Sequence, residues 1–108
     1  MSYDAYMRID TGGEYPATVH EIGNMTSNVS HMWTKALGRP LRDFEGWPGG
    51  VLIPLLEGAI QHIDQHRAEY EAVNPPNGWG SVDSARRYLA SILEGCRKHP
   101  KALLALSF

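Results

Sequence analysis

Two histidines four residues apart, His62 and His66 in HIDQH, are the first residues of this chain whose spacing can do chemistry. On a helix they share one face and could chelate a divalent metal. A firm site needs a third and fourth ligand, and no cysteine or histidine cluster nearby in sequence supplies them. The same spacing makes a solvated face opposite Leu55, Ala59 and Ile63, and this reading, with no metal, is the one the sequence favours. His20, His31 and His99 are scattered and read as surface or interface residues. Cys96 falls on the apolar stripe of a helix, where a buried thiol is inert. No G-x-S-x-G, no phosphate-binding glycine loop with its lysine and no H-E-x-x-H segment occurs. The pairs Glu57 with Asp64 and Glu69 with Glu71 read as solvated helix faces. No nucleophile–base pair can be named, so the weight falls against an enzyme and against any cofactor.

Two other segments converge polar groups on helix starts. GNMTSNVSHMW (23–33) brings Asn24, Thr26, Ser27, Asn28 and Ser30 to one, and NPPNGWGS (74–81) brings Asn74, Asn77 and Ser81 to another. A helix start offers amides without intrahelical partners and the positive end of the dipole, which together suit an anion. Trp79 stands between Gly78 and Gly80, whose backbone freedom lets the turn aim the indole at a planar group such as a base. The candidate ligand-binding residues are therefore Asn24, Thr26, Asn28, Asn77, Gly78, Trp79, Gly80 and Ser81. Against this stands a plainer account. Asn, Ser and Thr are favoured caps, glycines serve turns, and a tryptophan can plug a core. Both readings remain open at this level.

These residues need elements to position them. YDAYMRI (3–9) alternates Tyr3, Ala5, Met7 and Ile9 against polar neighbours, the period of a half-buried strand. Gly12 and Gly13 suit a hairpin loop, and ATVHEI (17–22) reads as the returning strand. Val29, Met32, Trp33, Ala36 and Leu37 form one helical stripe, started at Ser27 or Asn28 and stopped by Gly38 and Pro40. Residues 38–50 read as a loop whose Phe44 and Trp47 fold back onto the core. In the next helix Pro54 is tolerated in the first turn, which places the start near Gly50 or Val51. Tyr70 and Val73 mark its last turn or a separate short helix. The last helix is capped by Ser81, begins with Asp83 near its positive end, and buries Ala85, Tyr88, Leu89, Ile92, Leu93 and Cys96. Pro100 ends it, and ALLALSF (102–108) reads as a strand apolar on both faces, hence internal to the sheet. The order β-β-α-α-α-β implies an α+β fold in which a small antiparallel sheet carries its helices on one face, with the last strand beside the first.

The 108 residues suffice for a single domain, 1–108, with its own core. A net charge of −2 with mixed signs gives no basic face for nucleic acid. Asp4 and Asp10 interrupt the N-terminus, and no apolar run approaches the roughly 18 residues of a span, so neither a signal peptide nor a membrane segment is expected. With one cysteine there is no internal disulfide, and the expected location is the cytoplasm.

The order and spacing of Asn24, Thr26, Asn28 and Met32, then Asn77, Gly78, Trp79 and Gly80, then Cys96 and Pro100, carry a resemblance that spans nearly the whole chain. The sequence resembles a family of small, uncharacterised bacteriophage and bacterial proteins with an N-x-T-x-N-x-x-x-M segment and an N-G-W-G segment before the last long helix. Many members have an aromatic residue and Glu after N-G-W-G, where this chain has Val82 and the shorter Asp83. The resemblance implies a phage or phage-derived accessory protein, working in the host cytoplasm if phage-encoded. Two functions fit. One is a non-catalytic binder of a small polar or anionic, nucleotide-like ligand at the two helix starts. The other is an interaction module docking on a host protein or on itself through the many aromatics: Trp33, Trp47, Trp79, Phe44, Tyr3, Tyr6, Tyr15, Tyr70 and Tyr88.

Overall fold

A computed structural model describes residues 2–10, 12–13, 17–74 and 80–108. Alternation drives the first element. In β1 (Ser2–Ile9) Tyr3, Ala5 and Met7 are buried, while Ser2 and Asp4 between them face water. β1 pairs antiparallel with β2 (Ala17–Thr26) on one side and with β3 (Leu103–Ser107) on the other. The resulting sheet has the order β2-β1-β3, so the two ends of the chain meet at its middle.

β3 is thus an edge strand and not the internal one its composition suggested. Its outer edge is nevertheless closed. Gly46 N–H donates to Leu104 O at 2.7 Å, Leu104 N–H donates to Trp47 O at 2.9 Å, and the Glu45 carboxylate accepts from Leu106 N–H. A short segment therefore masks the edge a strand apolar on both faces would otherwise expose. Phe44 and Trp47 anchor that segment, meeting edge to face at 4.9 Å, with Phe44 buried and Trp47 packed against the core.

A 3₁₀ turn (Ser27–Val29) leads from β2 directly into α1 (Ser30–Leu37), which Gly38 closes in the left-handed conformation at φ 82°. After a second 3₁₀ turn (Leu41–Phe44) comes α2 (Gly49–Gln65), then the short α3 (Arg67–Glu71) carrying fully buried Tyr70. α2 starts earlier than expected, so Pro54 lies beyond the first turn. Tertiary bonds set that start: Gly49 N–H donates to Ala102 O and Gly50 N–H to Pro100 O, both at 2.8 Å. α4 (Val82–Lys98) packs on β1 and β2, α2 lies along α4, and α1 touches both helices.

The α4 stripe is buried as its spacing requires, with Ala85, Leu89, Ile92 and Cys96 fully inaccessible. Burial pushes the Cys96 thiol up to about 11, which keeps it protonated and unreactive near neutrality. The fold is α+β, a three-stranded antiparallel sheet with its helices on one face. Among the described residues no helix is long and apolar enough to cross a membrane.

Candidate functional site

The site segment 24–28 does not begin a helix. β2 runs on to Thr26 because its pairing with Ser2–Ala5 continues past Gly23, where a bulge absorbs the irregularity. Asn24 is therefore a strand residue. Its side-chain N–H donates to Ser2 Oγ at 2.9 Å and to Asp4 Oδ1 at 3.0 Å, which fixes the first residues of β1. Thr26 caps the 3₁₀ turn, its hydroxyl accepting from Asn28 N–H at 3.3 Å. Asn28 lies half-buried within that turn.

The start of α4 was expected to leave amides open. They are taken. Asn74 Oδ1 accepts from Val82 N–H at 3.1 Å, and Ser81 Oγ accepts from Ser84 N–H at 3.2 Å. The Ser81 cap is thus as expected, but with Asn74 it consumes two of the first three donors that an anion would use. Asn77, Gly78 and Trp79 lie outside the described residues. Gly80 is described, and it joins the two segments. Its φ is +105°, and a Cβ there would stand 2.6 Å from Val29 Cγ1 and 3.2 Å from Thr26 Cγ2. Only glycine fits this turn, on both conformational and steric grounds.

A cavity of about 240 Å³ opens beside the 3₁₀ turn Ser27–Val29. Ser2, Tyr3, Ser27, Ser30, Arg42 and Phe108 line it. Three serines and an arginine share it with two aromatic residues. Arg8, Arg39, Arg67, Arg86 and Arg97 each face a carboxylate, whereas among the described residues no ion pair holds Arg42 or Arg87; of these two, exposed Arg42 is the one that lines the cavity. No histidine or carboxylate side chain is among the described lining residues.

The aromatic wall is firmly held. Tyr3 meets Phe108 at 5.5 Å between centroids and Trp33 edge to face at 5.2 Å. Trp33 is fully buried, donates its indole N–H to Ala85 O at 3.1 Å, and lies on Tyr88 at 5.3 Å. The Tyr88 hydroxyl donates to Gly23 O at 3.0 Å and Tyr3 O at 3.3 Å. Burial, with Asp4 adding to it, pushes the Tyr88 phenol far above the ordinary tyrosine value, so it stays a donor. Each ring is braced by the next, down to the backbone of α4.

The histidine pair has a different geometry from a chelate. His62 Nδ1 meets Tyr70 Oη at 2.6 Å, and His66 Nδ1 meets Glu69 Oε2 at 2.7 Å. The rings stack at 4.4 Å with planes 28° apart. A shared metal must lie near both ring planes at about 2.0–2.1 Å from each nitrogen. Rings stacked face to face do not offer that point without turning and breaking a bond at Nδ1. Among the described residues no group of three or more His, Cys, Asp or Glu could hold a metal ion.

Most aromatics behind the interaction reading are core. Tyr3, Trp33, Phe44, Tyr70 and Tyr88 are buried, and Tyr6 and Trp47 are half-buried. Tyr15, like Trp79, lies outside the described residues. Sequence reasoning reached Ser27 and Ser30 but missed Ser2, Tyr3, Arg42 and Phe108 as a set. Only the pairing of β1 with β3 and the return of the 41–44 turn bring them together, and no local motif encodes that meeting. Comparison with family models, curated proteins and solved structures finds no match for this chain.

Proposed function

We propose that this protein is a non-catalytic binder of a small anionic ligand, which it holds in the cavity between β1, α1 and the 41–44 turn. The observation that carries this is Arg42, a cation without a carboxylate partner among the described residues, placed at a cavity with three serine hydroxyls. A guanidinium presents a fork of donors, and hydroxyls turn to suit an oxyanion. Asn24 contributes indirectly by fixing Ser2. This keeps the ligand class expected from segment 24–30 and moves the anion away from the occupied start of α4. Sequestration of a small host metabolite also fits the phage accessory role that the resemblance implies.

Titrating inorganic phosphate into the wild type and Arg42→Gln tests the reading. A charge-assisted bond contributes about 1.5–3 kcal/mol, so the variant should bind roughly ten- to a hundredfold more weakly. Equal affinities for the two proteins would remove Arg42, and this site, from the account.

A further inference from the structure

The cavity has two chemically distinct halves, and an anion alone uses one of them. Arg42 and the hydroxyls of Ser2, Ser27 and Ser30 suit an oxyanion; Tyr3 and Phe108 offer ring faces. Phe108 is 57% exposed and its ring lies 5.5 Å from that of Tyr3, so the cavity lining carries an accessible aromatic surface. The supporting ring is itself braced by Trp33 and Tyr88, so the stack is preorganised. The volume of about 240 Å³ is below the roughly 300–1,000 Å³ of sites for drug-sized ligands. There is room for one oxyanion and one ring.

Resting on the anion-binding reading above, we infer that the ligand is a phosphate monoester that carries one compact planar ring, directly or through a sugar, its phosphate on Arg42 and the serines and its ring on Phe108 and Tyr3. A pyrimidine nucleoside monophosphate and a simple aryl phosphate share this chemistry. A ligand of two or more nucleotides exceeds what the cavity holds.

The probes are inorganic phosphate, methyl phosphate, phenyl phosphate and uridine monophosphate, each titrated into the wild type, Phe108→Ala, Phe108→Tyr and Arg42→Gln. Phe108 is exposed, so its truncation leaves the core intact, and a thermal melt of each variant verifies this. Phenyl phosphate should bind the wild type about tenfold more tightly than methyl phosphate, the scale of one aromatic stacking contact. Phe108→Ala should bring the ratio of phenyl phosphate to methyl phosphate affinity to about one, and Phe108→Tyr should restore it. Arg42→Gln should weaken all four probes alike. Uridine monophosphate binding on a par with phenyl phosphate supports a nucleotide source, and binding by phenyl phosphate alone supports an aryl ester. Phosphate and all three esters binding equally, with no effect of Phe108→Ala, overturns the inference yet leaves anion binding in place. No binding of any probe overturns both.

Discussion

Tyr88→Phe isolates the bond on which the aromatic wall hangs. The substitution removes one oxygen and keeps the ring that lies on Trp33. What is lost is a single donor shared between Gly23 O and Tyr3 O, at 3.0 and 3.3 Å, from a residue that is only 3% exposed. A typical intramolecular hydrogen bond contributes about 0.5–1.5 kcal/mol net, and the buried Tyr3 acceptor left short of this partner moves the loss to the upper end of that range. For a chain of 108 residues, about 1.5 kcal/mol lowers the melting temperature by roughly 6 °C. Tyr88→Ala also removes the buried ring and should cost about 3–5 kcal/mol, as large aromatic truncations do. Chemical denaturation of the three proteins, with equal m-values, gives both differences. A Tyr88→Phe protein as stable as the wild type would mean that the hydroxyl is solvated, and that α4 does not hold β1 and β2 as described.

Other consequences are equally concrete. Leu89 is fully buried at mid-stripe, so Leu89→Ala should cost roughly 2–5 kcal/mol in a denaturant melt, and a loss under 1 kcal/mol would contradict its place in the core. Gly80→Ala must strain a φ of +105° and push Val29 aside, so it should destabilise by more than about 1 kcal/mol, whereas Gly58→Ala, with open space around it inside α2, should be neutral or stabilising. Arg86 meets both Asp64 oxygens, at 2.7 and 2.9 Å, and its hydrogen bonds hold the Asp64 carboxyl below the ordinary aspartate value. The folded value being the lower one, this stabilisation is present above the unfolded value near pH 4 and is lost as pH falls through the folded value. Because the pair is well exposed, the effect is at most about 1 kcal/mol, and it should vanish from the acid limb of a stability–pH curve in Arg86→Gln. A chelator should leave the melting temperature unchanged, given the stacked rings of His62 and His66.

The strong periodic signals were legible in the sequence, and the long-range ones were not. Tyr3, Ala5 and Met7 announce β1, and the α4 stripe from Ala85 to Cys96 announces its buried face, because burial of one face imposes the period directly. Ser81 and Gly38 cap where their chemistry says they should. The sequence ends β2 four residues short because the polar run from Gly23 looks like the approach to a helix, and only pairing with Ser2–Ala5 carries the strand on to Thr26. β3 was read as internal since its outer edge is hidden by the 45–47 segment rather than by another strand. For the site, the segment singled out in the sequence contributes Ser27 and Ser30 to the cavity lining. At the start of α4 the sequence does not show that Asn74, eight residues upstream of the amide it caps, takes the Val82 donor. Arg42 stands out by its place in the cavity lining, which no local motif encodes.

The central claim, an anion in this particular cavity, is tested most directly by mapping amide chemical shifts while inorganic phosphate is titrated into the wild type. The account predicts saturable shifts concentrated at Ser2, Tyr3, Ser27, Ser30, Arg42 and Phe108, with the amides of Val82 and Ser84 unmoved behind their caps. Saturable shifts centred on 80–84, with the cavity residues silent, would contradict it.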